Sequence, residues 1–353
     1  MHMADALLSP GVATTMYVAS AAAAGYSISK LRKDNDPQKL PVMAVTSALV
    51  FAGQMINYTI PGTGSSGHMC GGMLLSALLG PYAGFLSMIV ILTIQCLFFA
   101  DGGLMALGAN CWNMAFYGCF VGYFLIWKPI NASKWFGQGR SAERARIIAA
   151  SIIGCVITLQ LGAFSVVLET SLSGITELPF GAFCALMQPI HLAIGLVEGL
   201  ITSAVLVFIY NSRPELLQGV EFSDSGAAPK RSLKSVVAIL AIVAVVVGGG
   251  LSLLASSNPD GLEWALFGNS DGGYSSNMGL DEENFGVDSQ AAEKAESIQE
   301  KTSFLPDYAF KDNDTAAGTT VSGIVGAAIV AGVAVLICLI GGFFRKKNAA
   351  QIE

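Results

Sequence analysis

Met1-His2-Met3 at the start of the chain and the loop Pro61-Gly62-Thr63-Gly64-Ser65-Ser66-Gly67-His68 are the two stretches whose residue types could hold a metal ion. The chain has three histidines in 353 residues, and these stretches contain two of them. A free α-amine titrates near pH 8, so a metal can displace its proton at neutral pH. The amine nitrogen and the His2 amide nitrogen close one chelate ring, and the same amide nitrogen and His2 Nδ1 close a second. Three nitrogens then lie in a plane, and a fourth completes the tetragonal arrangement that suits Ni(II) or Cu(II). His68 is the obvious fourth donor. The chelate forms only if the chain begins at Met1, and the bulk of His2 is expected to hinder removal of that methionine. The competing reading leaves His2 in a frayed terminus.

Other polar residues lie inside apolar stretches, where an ionisable side chain is a functional candidate by default. His191 and Glu198 are seven apart and share a helix face. They either serve the path of an ion or form a structural pair between helices. Asn110 and Asn113, at i and i+3, also share a face. They either orient a metal ligand or bond between helices. Cys70, two residues after His68, is a soft donor in type, but packing is the simpler role. Gly62 to Gly67 spells a formal GxGxxG. It follows an apolar helix rather than a strand, so a dinucleotide fingerprint is excluded. Irregular backbone presenting His68 to a protein-lined cavity fits better.

The elements that must position these groups are membrane-spanning. The chain is 53% hydrophobic and 12% charged, against about 25% charged in a soluble domain. The expected fold is an all-α polytopic membrane protein. Segments are expected at 7–29, 41–59, 69–80, 82–99, 104–127, 147–168, 183–210, 235–255 and 319–344. The third is too short to span alone. This makes about seven membrane helices, one of them short, in a first domain over 1–212. Two more follow in a module over 235–344. A polar linker, 213–234, separates the two.

Charge sets the orientation. Residues 257–318 carry thirteen Asp/Glu and three Lys, while the whole chain is −6. This acidic loop is expected outside. The basic clusters at 30–33, 128–146, 230–234 and 345–347 are expected inside. The N-terminus is then outside, and a tail over 345–353 is inside. No basic residue precedes the first apolar run, so a signal peptide is not expected. Seven cysteines lie in or beside apolar segments without CxxC, so a disulfide framework is not expected. The chain has no P-loop and no HExxH. A basic surface for nucleic acid is lacking.

Met1-His2-Met3-Ala4-Asp5 with Leu7-Leu8-Ser9-Pro10 resembles the start of the CbiM/NikM proteins, the substrate-binding components of cobalt and nickel energy-coupling-factor transporters. The resemblance continues through Pro61-Gly62-Thr63 to His68, Gly80-Pro81, Asp101-Gly102-Gly103, Leu107-Gly108-Ala109-Asn110, Asn113-Met114 and His191-Leu192-Ala193-Ile194-Gly195-Leu196-Val197-Glu198-Gly199. It covers about 1–212. Residues 235–344 are similar to the small CbiN/NikN partner. Their loop opens with Pro259-Asp260-Gly261-Leu262-Glu263, as in its PDGLE element. The resemblance implies a fusion of the two in a bacterial or archaeal plasma membrane. It implies a planar metal site from the Met1 amine, the His2 amide and ring, and His68. The cargo would be Ni2+ or Co2+, with no prosthetic group.

It also implies a membrane coupling subunit and two cytoplasmic ATPase subunits as partners, so the chain itself would not be an enzyme. The CbiN/NikN part would help load or release the metal. Two other classes stay open. One is an autonomous proton-coupled metal permease using His191 and Glu198. The other is a membrane redox subunit, which few histidines and no CxxC disfavour.

Overall fold

The computed structural model describes residues 1–31, 39–175, 178–220, 231–269, 278, 280, 285–287, 289–311 and 316–349, the side chains of 39, 316 and 338–349 excepted. It is an all-α polytopic membrane protein. The helices are α1 (Pro10–Leu31), α2 (Lys39–Gln54), α3 (Gly72–Leu79), α4 (Pro81–Phe99), α5 (Leu107–Asn110), α6 (Lys128–Ala132), α7 (Arg140–Leu172), α8 (Phe180–Ser212), α9 (Leu233–Gly249), α10 (Gly261–Phe267), α11 (Gln290–Thr302) and α12 (Ala316–Ala349). A π-helix, Cys111–Trp127, joins α5 to α6. Among the described residues, five helical stretches are long and apolar enough to cross a membrane. They are Pro81–Phe99, Arg140–Leu172, Phe180–Ser212, Leu233–Leu254 and Ala317–Ile337. Their apolar composition satisfies lipid outside, and their backbone bonds are closed within each segment, as a bilayer requires.

The helices fall where the hydropathy placed them, with two local departures. The expected helix over 41–59 stops at Gln54. Tyr58–Ile60 is a strand, β1, paired antiparallel with β2, Ser65–Gly67. The loop read as irregular is therefore a hairpin. Gly62 and Gly64 take the left-handed conformation at its turn (φ 79° and 73°), which a side chain would resist. The expected helix over 104–127 is mostly π-helical, a form usually limited to a single turn.

The core is one continuous apolar body, with Phe51, Phe85, Phe99, Trp127 and Phe183 fully buried. The short α3 is buried along its whole length. It packs against the π-helix at Gly72 and Gly118, where a Cβ on Gly118 would stand 2.9 Å from Gly72 Cα. Close approach of small residues is how membrane helices gain contact without a hydrophobic drive between them. α9 and α12 cross in the same way at Gly248 and Gly323, and they pack on α2. The second module is thus built onto the first.

The six described cysteines are free thiols, most of them buried, as their apolar surroundings imply. Of the loop acids, Asp271, Asp281, Glu282, Glu283, Asp288, Asp312 and Asp314 lie outside the described residues. So do Arg32 and Lys33, and Lys230 of the linker.

Candidate metal centre

The first nine residues enter the molecule instead of fraying. Met1 is 5% exposed, and Met3 and Leu8 are fully buried. Asn110 holds Met3 by its backbone from both sides: Met3 N donates to Asn110 Oδ1 at 2.8 Å, and Asn110 Nδ2 donates to Met3 O at 3.2 Å. Gly103 N also donates to Met3 O at 2.9 Å. Asp5 Oδ1 receives Ala106 N at 2.9 Å. Asn113 Nδ2 lies 3.5 Å from Met3 Sδ and 2.8 Å from Glu169 Oε2. Asn110 and Asn113 therefore meet one residue, Met3, and fix the segment that carries His2.

His68 leaves the end of β2 and reaches the same place. Its ring is stacked on that of His2, with centroids 5.3 Å apart and planes at 19°. Its Nδ1 sits 3.1 Å from Met69 O. Burial, the neighbouring amine and His2 together push His68 down to about 4, so the ring is a neutral donor at physiological pH. The hairpin is pinned from α8. Glu198 accepts Cys70 N at 2.7 Å and Gly71 N at 2.9 Å. His191 instead faces Met187 O at 2.7 Å. The two residues that share this face of α8 thus take separate partners. Cys70 is buried beside His68 and lines the cavity there.

Three functional residues escaped the reading of residue types and spacing. Asp260 Oδ2 lies 2.6 Å from the Met1 α-nitrogen. Burial works against both charges. Their mutual attraction overrides it, raising the amine and holding Asp260 well below the usual carboxylate range. Asp101 Oδ1 lies 2.9 Å from His2 Nδ1. Burial would raise Asp101, but the His2 ring and the Tyr308 hydroxyl hold it well below that range. Tyr308 donates to Asp101 Oδ2 at 2.5 Å and accepts from Gln95 Nε2 at 3.2 Å. Its ring stacks on Phe99.

The Met1 amine and the His2 ring therefore each rest on a carboxylate. One carboxylate comes from the second module, and the other is braced by that module's tyrosine. The Pro-Asp-Gly motif was visible; no spacing rule links Asp260 to residue 1.

The second module reaches the site through strand pairing. Ser66 bridges Asp260 in parallel, and Ser66 N donates to Pro259 O at 2.8 Å. Asp260 also caps α10, accepting Leu262 N and Glu263 N, while Glu263 Oε2 receives Asp260 N at 3.1 Å. This reciprocal box fixes the carboxylate. The Asp260 charge pushes Glu263 up to about 7. On the other side, Gln299 of α11 donates to Cys96 O at 2.9 Å and Gly102 O at 2.7 Å.

A membrane helix bundle thus brings together a buried amine, two stacked imidazoles and flanking carboxylates. Residues 2–216 match the family model described as the cobalt uptake substrate-specific transmembrane region, and residues 234–341 match the PDGLE domain. The chain belongs to this cobalt-uptake family and carries a fused PDGLE domain. It is 37% identical over 333 residues to a putative fused nickel transport protein NikMN of Archaeoglobus fulgidus, covering 94% of this chain and 95% of that one. It is 32% identical to the fused nickel transport protein NikMN of Rhodobacter capsulatus, covering 75% of each. A crystal structure of a truncated transition metal transporter, 31% identical, superposes with a TM-score of 0.51 over 59% of this chain and 98% of that one.

Proposed function

We propose that this chain captures Ni2+ or Co2+ as the substrate-specific component of an ATP-driven energy-coupling-factor importer. A membrane coupling subunit and two cytoplasmic ATPase subunits would supply the energy. The ion is chelated by the Met1 amine, the His2 amide nitrogen, His2 Nδ1 and His68. The observation that carries this reading is the stacking of His2 on His68 beside the buried amine. Ordering a chain terminus costs conformational entropy at every residue fixed, and a terminus clamped by Asn110 has already met that cost. The site faces the outer side in the orientation set by the basic clusters, where an importer first meets its cargo.

When an ion binds, the amine and His2 Nδ1 leave Asp260 and Asp101. The two carboxylates then sit beside the bound cation and neutralise part of its charge. An all-nitrogen plane favours Ni(II), and Cu(II) more so by intrinsic affinity. The test is competition binding of Ni, Co, Cu and Zn to the full chain with a native N-terminus. A variant with one alanine inserted between Met1 and His2 is measured beside it. The insertion should abolish tight binding; unchanged affinity would remove the terminal chelate. Uptake by this chain alone in vesicles, driven by protons without ATP, would replace the importer reading with a permease.

A further inference from the structure

His191 is arranged as a nitrogen donor that the chelate above does not use. Its Nδ1 lies 2.7 Å from Met187 O, one helical turn back along α8. A carbonyl only accepts, so Nδ1 carries the proton and Nε2 keeps its lone pair. Metal-ligating histidines are held in this way, with a backbone carbonyl on one nitrogen fixing tautomer and ring orientation for the other. His191 is 1% exposed, and its Nε2 is buried with no hydrogen-bond partner. Buried polar atoms are ordinarily satisfied, so an orphaned imidazole nitrogen needs an explanation.

The surroundings supply one. His191 lines a small cavity together with Met1, His68 and Asp260. Gly261, next to Asp260, leaves room for the ring: a Cβ there would stand 3.3 Å from His191 Cε1. The third of the chain's three histidines thus borders the space between the amine and His68.

We propose that His191 Nε2 is a further nitrogen donor to the ion held by Met1, His2 and His68, and that it sets how well the site accepts ions that take more than four ligands. This rests on the terminal chelate proposed above. Ni(II) in a planar four-nitrogen field gains little from a fifth donor. Zn(II) has no such planar preference and expands its shell readily, and Co(II) behaves similarly. His191 therefore broadens the site toward cobalt and zinc without being needed for nickel.

X-ray absorption of the cobalt-loaded full chain with a native N-terminus counts the imidazoles on the metal. All three histidines should ligate in the wild type, and one fewer in His191→Phe. In competition binding, His191→Phe should lose about tenfold or more in Co(II) and Zn(II) affinity, with Ni(II) affinity close to wild type. Retained nickel binding shows that the variant folds. If nickel binding is lost as well, the wild-type count decides: only two imidazoles on cobalt overturn the proposal, and three sustain it. Unchanged cobalt affinity in His191→Phe also overturns it. The alanine insertion separates the two ideas, because nickel binding that survives the insertion removes the chelate itself, whatever His191 does.

Discussion

The α-nitrogen of Met1 and Oδ2 of Asp260 stand 2.6 Å apart across 259 residues of sequence. This contact joins the first residue of the chain to the opening motif of the fused PDGLE module. It places a buried carboxylate of the module on the amine beside His2 and His68.

Replacing Asp260 by Asn removes that charge and weakens the α10 cap. Hydrogen bonds to charged groups contribute about 1.5–3 kcal/mol each. Amide exchange across Gly261–Phe267, measured on the full chain, should speed up by one to two orders of magnitude. Protection equal to wild type would show that docking does not depend on the pair.

The same segment responds to pH. Asp260 and Asp101 are both held below the ordinary carboxylate range in the folded protein. A depressed folded value means that the stabilisation is present above the unfolded value, near 4, and is lost as pH falls through the folded value. Docking should therefore be firm at pH 5–6 and loosen below about 4. Glu263 acts in the opposite sense: its raised value near 7 weakens docking as pH climbs through 7. Exchange corrected for intrinsic rates, followed from pH 3 to 8, should show both limbs. Glu263→Gln should remove the upper one.

Tyr308→Phe deletes one hydroxyl and leaves its ring packing on Phe99 intact. Asp101 then loses a donor in a buried setting, a loss of about 1–3 kcal/mol. Thermal unfolding should report it as a lower Tm. Asp101→Asn and Tyr308→Phe should not add, since both act on one hydrogen-bonded group. Full additivity would show that the hydroxyl works elsewhere.

Glu198 orders the turn that follows His68, with two backbone N–H groups on its carboxylate. Gln keeps one good acceptor and introduces a donor facing a donor. Glu198→Gln should lower nickel affinity about 10–100-fold, the range for groups that orient a metal ligand. Exchange at Gly261–Phe267 should stay close to wild type. Affinity unchanged in this variant would separate Glu198 from the site.

Gly323→Ala tests the joint between the module's two helices. The added Cβ would lie 1.9 Å from Gly248 O, so the helices must part. Overpacking of this kind costs about 1–3 kcal/mol. Cross-linking between cysteines introduced into α9 and α12 should fall, while the nickel binding proposed for the first domain should persist.

Much of this arrangement is legible from residue types. Hydropathy placed the helices, and the rarity of histidine drew attention to positions 2, 68 and 191. Asn110 and Asn113 share a face by spacing alone, and both meet Met3. The hairpin at 58–67 is hidden because Tyr58-Thr59-Ile60 follows closely on the largely apolar stretch of α2, with Asn57 between Ile56 and Tyr58. The π-helix was missed because its hydrophobicity has no period to betray it. The roles of Asp101, Asp260 and Tyr308 were hidden for another reason. Pairing across two modules depends on tertiary docking, which leaves no periodic trace in a single chain.

The parallel bridge between Ser66 and Asp260 has a thermodynamic consequence. Because linker and helices tether the two modules, this contact forms at an effective concentration on the order of millimolar. An interface with an intrinsic Kd of about 10 μM would then be closed about 99% of the time. Such an interface opens at a cost of only a few kcal/mol. Covalent fusion would thus let the Asp260 contact over the candidate metal centre be weak by itself and still nearly always closed.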